Sequence, residues 1–363
     1  MKHTIVLILI SLLLTSSCGE DGESNMVLLP SNLTVEISKN ESGNVSFTAT
    51  ADDANFYQFD FGVGEGFVND DDGKVSYTYL AEDTYTIKIR ANTTSSNFIE
   101  ISEDVVVEIN SNVDNGGYET PLSYEGYDLV WNDEFEGNSL SSDWIHEIGT
   151  GSDGWGNNEL QYYREENTQV DDGLLIIEAR NEAFSGSQYT SSRIITENMQ
   201  SFRYGRIDIR AILPEGQGIW PALWMLGANF RSIGWPNCGE IDIMEMIGGG
   251  GREDTVFGTL HWDNNGTYAC TCGQDHEYTL SNGTFNDQFH VFSVIWNESS
   301  ITWYVDDNQY TTVNFSSDME EFTNDFFFIF NVAVGGNLPG SPNETTTFPQ
   351  RMVVDYVRVF QSN

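Results

Sequence analysis

The chain has 363 residues, room for two or three domains, and sets 15 Lys and Arg against 56 Asp and Glu, a formal charge of −41. A surface that acidic repels phosphate backbones and anionic lipid, which argues against nucleic acid as a partner and against a strongly anionic substrate. Aromatic residues make up 13% and glycines number 34, while long Ala/Leu/Glu/Lys runs are missing, the profile of an all-β protein rich in turns.

The chain opens with Lys2-His3, an apolar stretch from Thr4 to Leu14, and Thr15-Ser16-Ser17-Cys18. A basic start, a short apolar run and small residues before a cut describe a secretory signal over residues 1–17, too short to span a bilayer as a stable helix. Cys18 at the end of the small residues resembles a bacterial lipoprotein box, with Cys18 as the lipidated residue; plain secretion with a cut near Cys18 is the alternative. The acidic tether that follows, residues 18–26, resembles those of proteins exported to the cell surface. The expected location is therefore the bacterial outer membrane, held by a lipid, with surface exposure open.

From Val27 to about Asn110 short apolar–polar alternations recur: Val45-Ser-Phe-Thr-Ala, Phe59-Asp-Phe, Val75-Ser-Tyr-Thr-Tyr, Tyr85-Thr-Ile-Lys-Ile and Val105-Val-Val-Glu-Ile. Period-two runs between Asn, Asp and Gly clusters predict a small antiparallel sandwich. The stretch Tyr77-Thr-Tyr to Asp83-Thr-Tyr-Thr-Ile-Lys-Ile resembles the late strands of PKD and other immunoglobulin-like modules. Asp70-Asp71-Asp72 reads as a solvated turn, and with no catalytic constellation here the module reads as a spacer or weak glycan contact. Residues 111–123, rich in Asn, Gly and Asp, are expected to be a linker.

Residues 124–363 continue the β pattern in Leu174-Leu-Ile-Ile-Glu-Ala, Arg206-Ile-Asp-Ile-Arg, Ile301-Thr-Trp-Tyr-Val, Phe327-Phe-Ile-Phe-Asn-Val-Ala-Val and Met352-Val-Val-Asp-Tyr-Val-Arg-Val-Phe. So many strands in one domain predict a two-sheet jelly-roll sandwich, concave enough to form a cleft. Besides Cys18 there are Cys238, Cys270 and Cys272. Their spacing is not that of a zinc site. Cys270 and Cys272 are awkwardly close for bridging each other, so a bridge from Cys238 to one of them, or buried free thiols, are the open readings.

Chemistry concentrates in Gly239-Glu240-Ile241-Asp242-Ile243-Met244-Glu245. In a strand, Glu240 and Asp242 share one face and Ile241 and Ile243 the other. One extra residue, a β-bulge, is needed to return Glu245 to the acidic face. Three carboxylates on a packed strand raise one another's pKa and cost stability, so structure alone gives little reason for them. Retaining glycoside hydrolysis uses such a set: a nucleophile, a protonated acid and a third acid that keeps their pKa values apart.

Glu-Ile-Asp-Ile-Met-Glu with its extra residue resembles the bulged signature of glycoside hydrolase family 16, the laminarinase (endo-β-1,3-glucanase) branch in particular. The likeness runs from about Leu129 to Phe360. It takes in Trp131-Asn-Asp-Glu-Phe, Gly154-Trp-Gly-Asn-Asn-Glu-Leu-Gln-Tyr-Tyr, Gly216-Gln-Gly-Ile-Trp-Pro-Ala-Leu-Trp-Met and Trp235-Pro-Asn-Cys-Gly. Further on come Gly258-Thr-Leu-His-Trp, Asn331-Val-Ala-Val-Gly-Gly-Asn and Val354-Asp-Tyr-Val-Arg-Val. The resemblance implies Glu240 as nucleophile, Asp242 as its electrostatic partner and Glu245 as general acid/base. It implies Trp220, Trp224 and Trp235 along the cleft, where indoles stack on sugar faces, with Asn157, Arg193 and His261 placed to bond hydroxyls; for His261 a satisfied structural role is the alternative. It also implies a structural calcium ion held by the carbonyl oxygens of Glu134 and Gly173 and the Asp355 carboxylate, and no cofactor for catalysis.

The expected partner is a β-glucan, met by a monomer, with the membrane reached only through the lipid. Rival readings are a mixed-linkage β-1,3/1,4-glucanase, an agarase or carrageenase on the same scaffold, and a non-catalytic lectin. A lectin has no use for all three acids, and the acidic balance disfavours sulfated substrates.

Overall fold

The computed structural model describes residues 29–39, 44–64, 66–79, 83–107 and 116–363, which fall into two compact units, Met1–Val113 and Asp114–Asn363. Cys18, the signal segment and the acidic tether lie outside the described residues.

The first unit has two antiparallel sheets. One runs Ser31–Lys39, Asn44–Asp52, Lys74–Thr78; the other runs Val68–Asp70, Phe56–Asp60, Asp83–Thr94, Asn97–Val107. Alternate residues turn inward, so Val45, Phe47, Phe59, Ile87 and Ile89 form one core shared by both sheets. Asp70 closes a turn, its carboxylate accepting from the backbone N–H of Asp72, Gly73 and Lys74.

In the second unit two eight-stranded sheets share a core built by Ile207, Ile209 and Val294 from one and Leu223, Met225, Ile241 and Phe328 from the other. The first sheet centres on Gln350–Ser362 and Gly205–Ile212. The second runs Tyr268–Cys270, Thr255–Asp263, Glu240–Glu245, Ile219–Gly227, Phe326–Val334, Arg193–Ile195 and Ile145–His146. Glu240–Glu245 is thus an interior strand, fixed by a neighbour on each side.

The outer face of the first sheet carries charged side chains. Arg206, Asp208, Arg210 and Arg358 project from it yet are buried. The segment from residue 116 onward lies over them. Tyr118 O accepts from Arg210 Nε at 2.8 Å, Thr120 O from Arg358 Nη1 at 2.8 Å, and the Tyr124 hydroxyl donates to Asp208 at 2.7 Å. Within the described residues, then, the stretch read as linker is a strap on the second unit. Buried guanidinium groups need fixed acceptors, and this strap supplies them. Its approach is close enough that a Cβ at Gly117 would lie 1.9 Å from Phe289 O.

The cysteines also differ from expectation. Cys270 and Cys272 are bonded to each other with Cα atoms 5.2 Å apart, and Cys238 is a buried free thiol. Separation by two residues is no obstacle where the chain bends to bring the Cα atoms within the ordinary disulfide range.

Candidate active site

Glu240–Glu245 changes register once. Trp224 faces Asp242 but Leu223 faces Met244, and on the other side Asp242 faces Thr259 while Glu245 faces Phe257. One extra residue is therefore absorbed between Asp242 and Glu245, a bulge that sends Ile241, Ile243 and Met244 into the core and returns Glu245 to the face of Glu240 and Asp242. Gly258 sits opposite the bulge. A Cβ there would come 2.4 Å from Trp303 Cδ1, and Trp303, fully buried, donates its indole N–H to Asp242 O at 2.8 Å. The bulge is thus pinned from the core side by an indole that fits because residue 258 has no side chain.

Glu240 and Glu245 each receive an indole N–H. Trp235 Nε1 donates to Glu240 Oε2 at 2.9 Å, and Trp220 Nε1 to Glu245 Oε1 at 2.8 Å. His261 Nε2 lies 3.1 Å from Asp242 Oδ2 and 3.4 Å from Glu240 Oε1. Burial, then the neighbouring Asp242 charge, pushes Glu240 up to about 8, against the pull of His261 and the Trp235 N–H. The same two causes push Glu245 up to about 7, opposed by the Trp220 N–H and His261. Burial works against a charged His261, but Glu240 and Asp242 outweigh it and raise the ring to about 11. The cluster thus holds a cationic imidazole against the carboxylates and retains protons at neutral pH.

The aromatic residues divide by role. Trp220 is nearly buried beside Glu245, while Trp235 is 47% exposed beside Glu240. Trp224 is half-buried, its N–H given to Asn331 Oδ1 at 2.7 Å, and Asn331 in turn donates to the Tyr163 hydroxyl at 3.1 Å. Arg193 lies over the rings of both Trp155 and Trp224, at 4.6 and 4.9 Å, and is paired with Glu147 at 2.6 Å. Asn157 is in the turn Gly154–Asn158 and donates to Glu159 Oε1 at 3.2 Å. His261 has both ring nitrogens committed to protein groups, the second to the Tyr268 hydroxyl at 2.8 Å.

Sequence reasoning missed Tyr268, Asn331, Trp155, Tyr163 and Glu147. Asn331, Trp155 and Tyr163 stand inside segments already singled out, so their position was a signal. Tyr268 lies in an Asn-, Gly- and Cys-rich stretch that reads as a loop and gave none.

The residues named for calcium meet at one junction. Asp133 pairs with Val357 and Leu175 with Val354 on Gln350–Ser362, which brings residues 134 and 173 to either side of Asp355. A Cβ built on Gly173 lies 4.0 Å from Glu134 O. Asp355 Oδ2 is taken by Arg210 at 2.6 Å, and the Glu134 carboxylate by Arg358 at 2.7 Å. The Glu134 and Gly173 carbonyl oxygens and the second Asp355 oxygen are hard donors of the kind calcium takes.

An interior strand with three acids on its outer face, flanked by indoles on a two-sheet β-sandwich, defines a glycoside hydrolase of the jelly-roll class. The family model for glycosyl hydrolases family 16 matches residues 156–358, and the chain belongs to that family. It is 40% identical to the beta-glucanase of Rhodothermus marinus over 65% of this chain and 85% of that protein. It is 42% identical to the clotting factor G alpha subunit of Tachypleus tridentatus over 65% of this chain, but spans only 34% of that relative's length. The laminarinase catalytic domain of Thermotoga maritima is similar in structure, with a TM-score of 0.60 and 44% identity over 66% of this chain and 100% of that one.

Proposed function

We propose that the chain hydrolyses internal β-1,3 linkages of a glucan with retention, Glu240 acting as nucleophile and Glu245 as general acid and then base. The observation that carries this is the bulge, which sets Glu240, Asp242 and Glu245 on one face of an interior strand. Glu240 attacks the anomeric carbon while the Glu245 carboxyl gives its proton to the leaving oxygen; water, deprotonated by Glu245, then releases the glycosyl-enzyme. The two roles follow from the likeness of Glu240 and Glu245 to the family's signature. Glu240 has His261 at 3.4 Å and the Trp235 N–H beside it, and Glu245 has the Trp220 N–H and the charge of His261, all favouring the carboxylate form. Burial and Asp242 nonetheless hold Glu240, at about 8, above Glu245, at about 7, so the assignment does not rest on the order of these pKa values. Asp242 holds His261 on its other side and, through its backbone, the indole of Trp303.

The substrate class rests on the relatives, a beta-glucanase and a laminarinase, and on the open aromatic edge at Trp235. Calcium at Glu134, Gly173 and Asp355 would tie together three strands of the sheet that does not carry the acids and take no part in the reaction. Cys18, from its place after a signal-like segment, is proposed to carry a lipid that tethers the enzyme to the outer membrane, with the first unit, an immunoglobulin-like module, as spacer. Incubation with laminarin, lichenan, agarose and carrageenan, read as reducing ends, tests the reading. Laminarin should be cut fastest, with an early fall in chain length. Cleavage of agarose or carrageenan with laminarin intact would overturn it, and equal rates on lichenan would mark a mixed-linkage enzyme.

A further inference from the structure

The strand Tyr268–Cys270 pairs with Thr255–Asp263, setting Cys270 opposite His261 and Tyr268 opposite Asp263. The hairpin is closed by the Asn264 and Thr267 backbone bonds at its tip. At its base Thr271 N donates to Leu260 O at 3.0 Å and Leu260 N to Thr271 Oγ1 at 2.9 Å. The Cys270–Cys272 bond stiffens the same base, and Cys272 Sγ lies 3.8 Å from the Tyr268 hydroxyl. Tyr268 is half-exposed, yet it is placed by its partners: its ring stacks on His261 with centroids 5.9 Å apart and meets Trp235 at 5.2 Å. It therefore touches both Trp235, which hydrogen-bonds Glu240, and His261, whose Nε2 lies 3.4 Å from Glu240.

We propose that Tyr268 is a positioning residue for the hydrolytic reaction, its hydroxyl holding the His261 ring so that Nε2 faces Glu240 and Asp242. The inference rests on the reading of Glu240 as nucleophile. A doubly protonated imidazole has two N–H groups to satisfy. Nε2–H is bonded to Asp242 Oδ2 at 3.1 Å with Glu240 Oε1 at 3.4 Å beside it, and Nδ1–H has the Tyr268 oxygen as acceptor at 2.8 Å. The groups facing His261 are Glu240, Asp242 and Glu245 from the catalytic strand, Tyr268 from the hairpin and the uncharged Trp235 ring; Cys270 and Cys272 are bonded and do not titrate. Without the hydroxyl, Nδ1–H is left unpaired, the neutral ring gains weight, and Glu240 loses part of the cationic neighbour that favours its ionised form.

Tyr268→Phe keeps the ring against Trp235 and removes only the hydroxyl. Loss of a hydrogen bond to a charged group should move the acid limb of kcat/KM up by about one pH unit and lower kcat below that limb roughly tenfold. KM and the thermal midpoint should change little. In a His261→Gln background the same substitution should shift nothing further. An unchanged pH profile in Tyr268→Phe, or an equal shift in both backgrounds, would overturn the assignment. Glu240→Ala, assayed alongside, separates the two ideas. If it is inactive while Tyr268→Phe is normal, only the role of Tyr268 falls; if it is active, the nucleophile and the inference fall together.

Discussion

Removing the strap is expected to cost stability without touching the chemistry. A protein starting at Tyr124 loses the carbonyl oxygens of Gly116, Tyr118 and Thr120, whereas one starting at Asp114 keeps them. Arg210, with a fully buried side chain, would lose its acceptors at Tyr118 O and Gly116 O; Arg358 would lose Thr120 O. The Tyr356 hydroxyl would lose Thr120 as well. A hydrogen bond to a charged group contributes about 1.5–3 kcal/mol, so the two short guanidinium bonds, to Tyr118 O and Thr120 O, alone amount to about 3–6 kcal/mol. At about 2–4 °C per kcal/mol for a unit of this size, the midpoint should fall by roughly 10 °C. Differential scanning calorimetry of the two truncates gives the difference, and laminarin turnover at 25 °C checks that the cleft is intact. Equal midpoints would show that the strap is a passive tail and that the buried arginines are satisfied without it.

Glu240→Ala and Glu245→Ala should each lower laminarin turnover by several orders of magnitude while circular dichroism stays native; azide should yield a β-glycosyl azide with Glu245→Ala and an α-azide with Glu240→Ala. Trp220→Phe removes the N–H that favours ionised Glu245, so the pKa of that acid should climb from about 7. The alkaline limb of kcat/KM, which reports loss of the acid's proton, should then move up by about one pH unit, and an unmoved limb would separate Trp220 from the titration. Wild-type protein should incorporate labelled lipid and sediment with membranes, and Cys18→Ala should do neither; equal labelling would leave plain secretion.

Strands were legible wherever one face is buried, because the period-two pattern is then strict. Ser300–Val305 is the example, while Phe327 to Val334 was legible instead as an unbroken apolar run, buried at every residue. The bulge was legible too, since three acids cannot share a face of Glu240–Glu245 without an extra residue. The strap was not. Its hold on the sheet runs through backbone carbonyls, which every residue possesses, so Asn- and Gly-rich composition gave no sign of it. Arg206, Asp208 and Arg210 carried the better clue, since alternate charges on a long strand ask for a partner. The hairpin of Tyr268 was hidden for a similar reason. Its three-residue strand is set by pairing with His261 and its neighbours and by the Cys270–Cys272 bond, both long-range or conformational facts. His261 stood in a singled-out segment, but the sequence could not tell a sugar contact from a partner for Glu240 and Asp242.

Two glutamates acting in two successive displacements are the centre of the proposed mechanism. Proton NMR of the first product released from laminarin, recorded before mutarotation, reads the anomeric configuration without reference to any variant. Attack by Glu240 followed by water inverts the centre twice, so the signal should be that of the β anomer. An α anomer formed first would mean a single displacement by water and would contradict both Glu240 as nucleophile and Glu245 as acid and then base.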